Sequence, residues 1–125
     1  MITFDAHELS ALAVDLGKIG VKSTSTMVKV FRESGDQLVK TWAANATETS
    51  GQHGRHYPKS IDMEMQVSTD IVIEVGPNPA MPQGGMSFEY GSRNQPAHLD
   101  GQRAADAEIP LIDRRITAAL AYLGL

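Results

Sequence analysis

The chain contains no cysteine. Disulfides, thiolate zinc sites and thiol nucleophiles are therefore excluded, and the fold must be held by packing and hydrogen bonds. Aromatic residues are few, and Trp42 is the single tryptophan. Its position in phase with an apolar helical face makes it a core or interface anchor rather than a platform for stacking a ligand. No apolar run approaches the roughly 20 residues that a bilayer-spanning helix needs. Dense Lys/Arg clusters are also missing, and the net charge is −4, so composition carries no signal for binding a polyanion. Met1-Ile2-Thr3-Phe4-Asp5 lacks the charged-then-apolar layout of a secretory leader. These absences point to a protein that works in solution or within a soluble assembly. Its 125 residues are enough for one domain, residues 1–125, with a single core.

The elements follow from periodicity. From Asp5 to Ile19, Leu9, Leu12, Ala13, Leu16 and Ile19 share one helical face. Asp5 and Glu8 have the spacing of a capping box, with Phe4 and Leu9 placed for a hydrophobic staple. A second helix is expected over Ser23–Thr47, where Met27, Val30, Phe31, Leu38 and Trp42 keep helical spacing. Gly35 in its middle predicts a bend or a close packing partner. Ile61, Met63, Met65 and Val67 alternate with Asp62, Glu64 and Gln66, and Ile71, Ile73 and Val75 alternate with Val72 and Glu74. Ser68-Thr69-Asp70 between the two runs completes a hairpin with one apolar and one acidic face. Phe88 and Tyr90, alternating with Glu89, read as a further short strand, and Gly91 as the turn that ends it. The last element is a helix from Asp100 to Leu123, with Asp100 as N-cap and a kink or break expected at Pro110. The fold class is therefore α+β.

Two stretches break every period. Glu48–Lys59 and Gly76–Gly85 are polar and rich in glycine and proline, so they read as long loops. Both lack apolar anchors, which predicts that they order on docking. His53 and His56 have a spacing found in some metal sites, but no third ligand lies near them in sequence. His98 beside Asp100 is the best candidate for acid–base work, although a loop that caps the final helix explains the same residues. No nucleotide, flavin or zinc motif is present, and no metal or cofactor is expected.

One phrase is more specific. Phe88-Glu89-Tyr90-Gly91-Ser92, followed by a proline-containing loop through Pro96-Ala97-His98-Leu99-Asp100-Gly101-Gln102-Arg103 and a closing helix, resembles the tail-completion, or head–tail joining, proteins of long-tailed bacteriophages, in the form found in phages of actinobacteria. Gly54-Arg55-His56-Tyr57-Pro58-Lys59-Ser60-Ile61 is similar to a phrase that precedes the first strand in that family, with departures in register. The resemblance implies N-terminal helices, a small curved antiparallel sheet of about three to four strands, and a C-terminal helix packed on it. It also implies a structural, non-enzymatic virion protein of the neck, made in the host cytoplasm. Such a protein would form a homo-oligomeric, hexameric ring that completes the head-proximal end of the tail. Its partners would be further copies, the tail terminator or tail tube protein, and the head–tail adaptor or stopper. DNA would pass through without sequence-specific binding. Terminator and stopper proteins of the same neck, and more remotely a small metal-dependent hydrolase, are the alternatives. On this reading the residues that contact neighbours are Trp42, His56, Tyr57, Glu89, Tyr90, Gly91, Ser92, Arg93, His98 and Arg103.

Overall fold

The computed structural model describes residues 2–5, 21–51, 54–68, 70–78, 80, 86–93 and 96–124. The elements are β1 (Ile2–Asp5), α1 (Val21–Thr49), a 3-10 turn (Tyr57–Ser60), β2 (Ile61–Val67), β3 (Ile71–Pro77), a one-turn helix α2 (Met86–Tyr90) and α3 (Asp100–Tyr122). The class is α+β, with helices gathered over one face of an antiparallel sheet.

The expected hairpin is present. β2 and β3 pair from Val67↔Ile71 at the turn to Ile61↔Pro77 at the far end. Ser68 N donates to Asp70 O across the turn at 3.0 Å. Ile71, Ile73 and Val75 are buried, whereas Asp62, Glu64 and Gln66 are exposed, so the alternation read from the sequence sets which face meets the core. β3 is central because β1 pairs along its other side, in the order β1-β3-β2 and the register Ile2↔Val75 to Asp5↔Val72. The sequence reading did not anticipate this strand, and since an N-cap residue is itself non-helical, the strand leaves the reading of Asp5 as a cap untouched. Four residues of alternating pattern are ambiguous alone, and long-range pairing with β3 decides the outcome. The rest of the helix expected over Asp5–Ile19 lies outside the described residues.

α1 is longer than expected and runs without interruption through Gly35. That glycine marks close packing. A Cβ there would lie 2.5 Å from Met63 Sδ and 3.0 Å from Ile73 Cγ2, so the helix backbone rests directly on the sheet. α3 lies antiparallel to α1. Asn45 meets Asp100, Thr41 meets Glu108, and Ser34 meets Arg115, so one number falls as the other rises. The closest approach is at Gly101, where a Cβ would fall 2.5–2.7 Å from the Trp42 indole. Trp42, Phe31, Leu38, Ile73, Val75, Ile112 and Ile116 belong to one buried cluster that joins both helices to the sheet.

Two expectations are corrected. Phe88–Tyr90 is the helical turn α2, not a strand. A strand would send Phe88 and Glu89 to opposite faces, whereas a helical turn lets both point inward, and both are buried. Pro110 does not break α3, which is helical from Asp100 to Tyr122. Its ring sits on the exposed side of the helix, and water can satisfy the carbonyl of Asp106 that it leaves without a donor. Gly91 turns the chain as expected, at φ +83°.

The two packed glycines should respond differently to an added methyl. In Gly101→Ala the new Cβ meets a rigid, enclosed indole, and the overpacking should cost about 1–3 kcal/mol despite the better helix propensity of alanine. In Gly35→Ala it meets chiefly the flexible Met63 side chain, so the loss should be smaller. Urea unfolding of both variants measures the order.

Candidate docking site at the start of the closing helix

The first N–H groups of a helix have no partner within it. α3 begins without the side-chain cap that the sequence offered. Its N-cap is Leu99, which makes no side-chain cap bond, and Asp100 is already the first helical residue. The cap comes instead from Glu89 on α2. Gly101 N donates to Glu89 Oε1 at 2.7 Å and Gln102 N donates to Glu89 Oε2 at 2.8 Å. Glu89 is 2% exposed, so this is a buried carboxylate held by two backbone donors at the positive end of a 23-residue helix. Backbone bonds complete the clasp. His98 N donates to Phe88 O at 2.9 Å, and Leu99 N donates to Glu89 O at 3.0 Å.

Asp100 forms the second half of the clasp and is fully buried. Its carboxylate accepts from Thr49 Oγ1 at 2.8 and 2.9 Å and from Arg103 Nη2 at 2.8 Å. Asn45 Nδ2 donates to its backbone carbonyl at 3.0 Å. The end of α1, the start of α3 and α2 are thus tied at one point. Phe88 closes it on the apolar side, stacked on Tyr57 at 4.7 Å between ring centroids and tilted against His98 at 5.7 Å.

Tyr57 and Trp42 bring polar atoms into this interior. The Tyr57 hydroxyl and Trp42 Nε1 are buried without a partner at hydrogen-bond geometry. Burial pushes the Tyr57 hydroxyl up to about 12 from an ordinary 10.0. The indole N–H of Trp42 opposes that rise, and the negative charges of Glu89 and Asp100 add to it. Tyr57 is also the apolar anchor that Glu48–Lys59 was expected to lack. Residues 54–59 are tied to the core by that buried ring, whereas 52 and 53 lie outside the described residues.

The structure divides the expected contact residues into two sets. Trp42, Tyr57 and Glu89 are interior, at 0%, 0% and 2% exposure, and present no surface to a neighbour, which corrects their placement. Gly91 and His98 are half-buried, and His56, Tyr90, Ser92, Arg93 and Arg103 are exposed. Tyr90, at 66% exposure, and Leu99, at 42%, lie at the same corner as Arg93 and Arg103. Leu99 was missed by the sequence reading. It is the one non-glycine residue with positive φ among the described residues, at φ 54° and ψ 36°. For a leucine this backbone conformation costs about 1–2 kcal/mol. The available sequence signal was a helix start preceded by leucine, where a capping residue is the rule.

Acid–base and metal chemistry find little in this arrangement. His98 Nδ1 is 3.8 Å from Asp100 Oδ2, beyond hydrogen-bond distance, and Asp100 is sealed from solvent and already engaged by Thr49 and Arg103. His56 Nε2 accepts from Arg55 Nε at 3.1 Å. Among the described residues no group of three or more His, Cys, Asp or Glu side chains is placed to hold a metal ion. His7 and His53 lie outside the described residues. No helix among the described residues is long and apolar enough to cross a membrane. The chain matches no family model, no curated protein and no solved structure.

Two measurements test the clasp. Glu89→Gln replaces one acceptor oxygen with a donor that confronts a backbone N–H, so it should destabilise the fold by about 1–3 kcal/mol in urea unfolding. Tyr57 has its folded pKa above its unfolded value, so its contribution is whole below pH 10 and fades as pH rises towards 12. Stability followed by denaturant titration should fall across that window by at most about 3 kcal/mol, and Tyr57→Phe should remove this part of the fall.

Proposed function

We propose that the chain is a structural protein of a long-tailed bacteriophage neck. It would act as a ring component that completes the head-proximal end of the tail and joins it to the head connector around the DNA channel. One observation carries the reading beyond the resemblance of the Phe88–Arg103 phrase. That phrase works as a mechanical device: Phe88 and Glu89 are buried to clasp the start of α3, and Gly91 turns the chain. The same turn leaves Tyr90, Arg93 and Leu99 facing outward on a fixed base. Tyrosine and arginine on a rigid support are what contact surfaces between proteins favour. The buried acidic groups of the phrase hold structure, so none is left open to a substrate.

The acidic surface suits the same reading. A wall that lets DNA slide should make few salt-dependent phosphate contacts, and the chain carries a net charge of −4. The metal-dependent hydrolase alternative would draw on His53, His56 and His98; His53 lies outside the described residues, and among the described residues no group of three or more His, Cys, Asp or Glu is placed to hold a metal ion.

Cryo-electron microscopy of intact particles, together with mass spectrometry of their proteins, tests the proposal. The polypeptide should be found in mature particles, with density for this fold repeated around the axis of the head–tail junction. Particles that mature and infect without the polypeptide would end the reading.

A further inference from the structure

Leu99 holds a backbone conformation that glycine or asparagine would adopt with less strain. Its peptide groups serve the clasp, since its N–H donates to Glu89 O and its carbonyl accepts from Arg103 N at 2.9 Å. Those bonds need the backbone and not the leucine side chain. The side chain is exposed and is not part of the core cluster. At 42% exposure and outside the core cluster, the leucine gives the fold less than a buried one would, and strained residues of this kind cluster at functional sites. Around it the corner presents Tyr90, Arg93 and Arg103, whereas its acidic residues, Glu89 and Asp100, are buried. The corner is apolar at its centre and carries the exposed Arg93 at its rim, while Arg103 beside it is ion-paired with the buried Asp100.

The same chain carries the complement. On the sheet face turned away from the helices, Glu64 stands directly opposite Glu74 in the β2–β3 register, with Asp62 two residues from Glu64 on the same side. Like charges paired across strands are destabilising when nothing neutralises them. Val72, part-buried, pairs with Gln66 on this face and gives it an apolar neighbour.

We propose that the corner formed by Tyr90, Arg93, Leu99 and Arg103 docks on the open acidic sheet face, around Glu64 and Glu74, of a second copy of this chain. The Arg93 guanidinium would neutralise the opposed carboxylates, Arg103 would remain paired with Asp100 beneath it, and Leu99 and Tyr90 would supply the water-excluding centre. Two different surfaces meet, so the contact is head-to-tail and continues from copy to copy until a ring closes or a filament grows. The inference rests on the assembly reading above and names the surfaces that would carry it.

The absence of native cysteine makes the test direct. Ala97→Cys, beside the corner, and Gln66→Cys, on the sheet face, are both at exposed positions and leave the proposed contacts intact. Mixed under mild oxidation, the two variants should form the mixed disulfide about tenfold faster than either forms its own dimer, because docking raises the effective concentration of the two thiols. Gln66→Cys mixed with Lys40→Cys, on the exposed side of α1, sets the background. Adding Arg93→Glu or Leu99→Gly to the Ala97→Cys chain should return the rate to that background. Leu99→Gly should at the same time raise the urea midpoint, which separates lost docking from lost folding. A mixed disulfide no faster than background, faster Ala97→Cys self-pairing, or indifference to both added substitutions would overturn the proposal. Particles that contain the polypeptide while the cross-link fails would leave the neck reading standing and remove only these surfaces. Particles without the polypeptide would remove the neck reading whatever the cross-link shows.

Discussion

A single buried carboxylate organises the second half of this molecule. Glu89 accepts from two backbone N–H groups at the start of α3, twelve or more residues away in sequence. A local cap would satisfy the same donors without leaving any mark on the rest of the fold. Supplied from α2, the cap becomes a tertiary constraint, because helix start and helical turn can form only together. Burial makes the constraint stringent, since a charge removed from water is tolerable only while its hydrogen bonds are intact. Phe88, next in the chain, adds an apolar contact to the same clasp through Tyr57.

Close backbone contacts supply the other constraint. Gly35 lets α1 rest on Met63 and Ile73, and Gly101 lets α3 approach the face of Trp42. The second contact lies on the residue whose N–H donates to Glu89, so packing and capping are not independent at that point. Displacing α3 from Trp42 would pull Gly101 N from its acceptor. Thr49 and Asn45, at the end of α1, repeat the coupling through the carboxylate and carbonyl of Asp100. The buried polar groups therefore fix how the two helices meet, whereas the apolar cluster supplies most of the reason that they meet at all.

The sequence was legible where one period ran long enough to exclude the other. The β2–β3 alternation, its turn and the apolar face of α1 were read correctly because seven or more residues agree on one period in each. It failed where three or four residues had to decide. Ile2–Asp5 was not read as a strand, because four residues carry too little pattern and their pairing with β3 is long-range. Phe88–Tyr90 alternates like a strand, but the cost of leaving the N–H groups of α3 without an acceptor selects the helical turn that aims Glu89 at them. The phase of Trp42 left core and interface open and the structure gives core, whereas burial of Tyr57 within a polar, glycine-rich segment had no such sign. The outward-facing part of the candidate site was partly visible, since Tyr90, Arg93 and Arg103 were singled out. Leu99 was not, because the reading placed the cap one residue later, at Asp100, and so gave the residue before it no role.

The division between inner and outer residues in the Phe88–Arg103 segment bears on how such a segment can vary. Phe88, Glu89, Asp100 and Gly101 each satisfy a requirement of the interior: a ring contact, a pair of donors, a hydroxyl and a guanidinium, and a close helix approach. A change at any one leaves its partner unsatisfied, so tolerance there should be low. Tyr90, Arg93 and the side chain of Leu99 answer to no such requirement, and the fold would accept many residues in their place. On the assembly proposed above, the exposed aromatic ring and the strained leucine would be the part of this constrained base that meets a neighbouring copy.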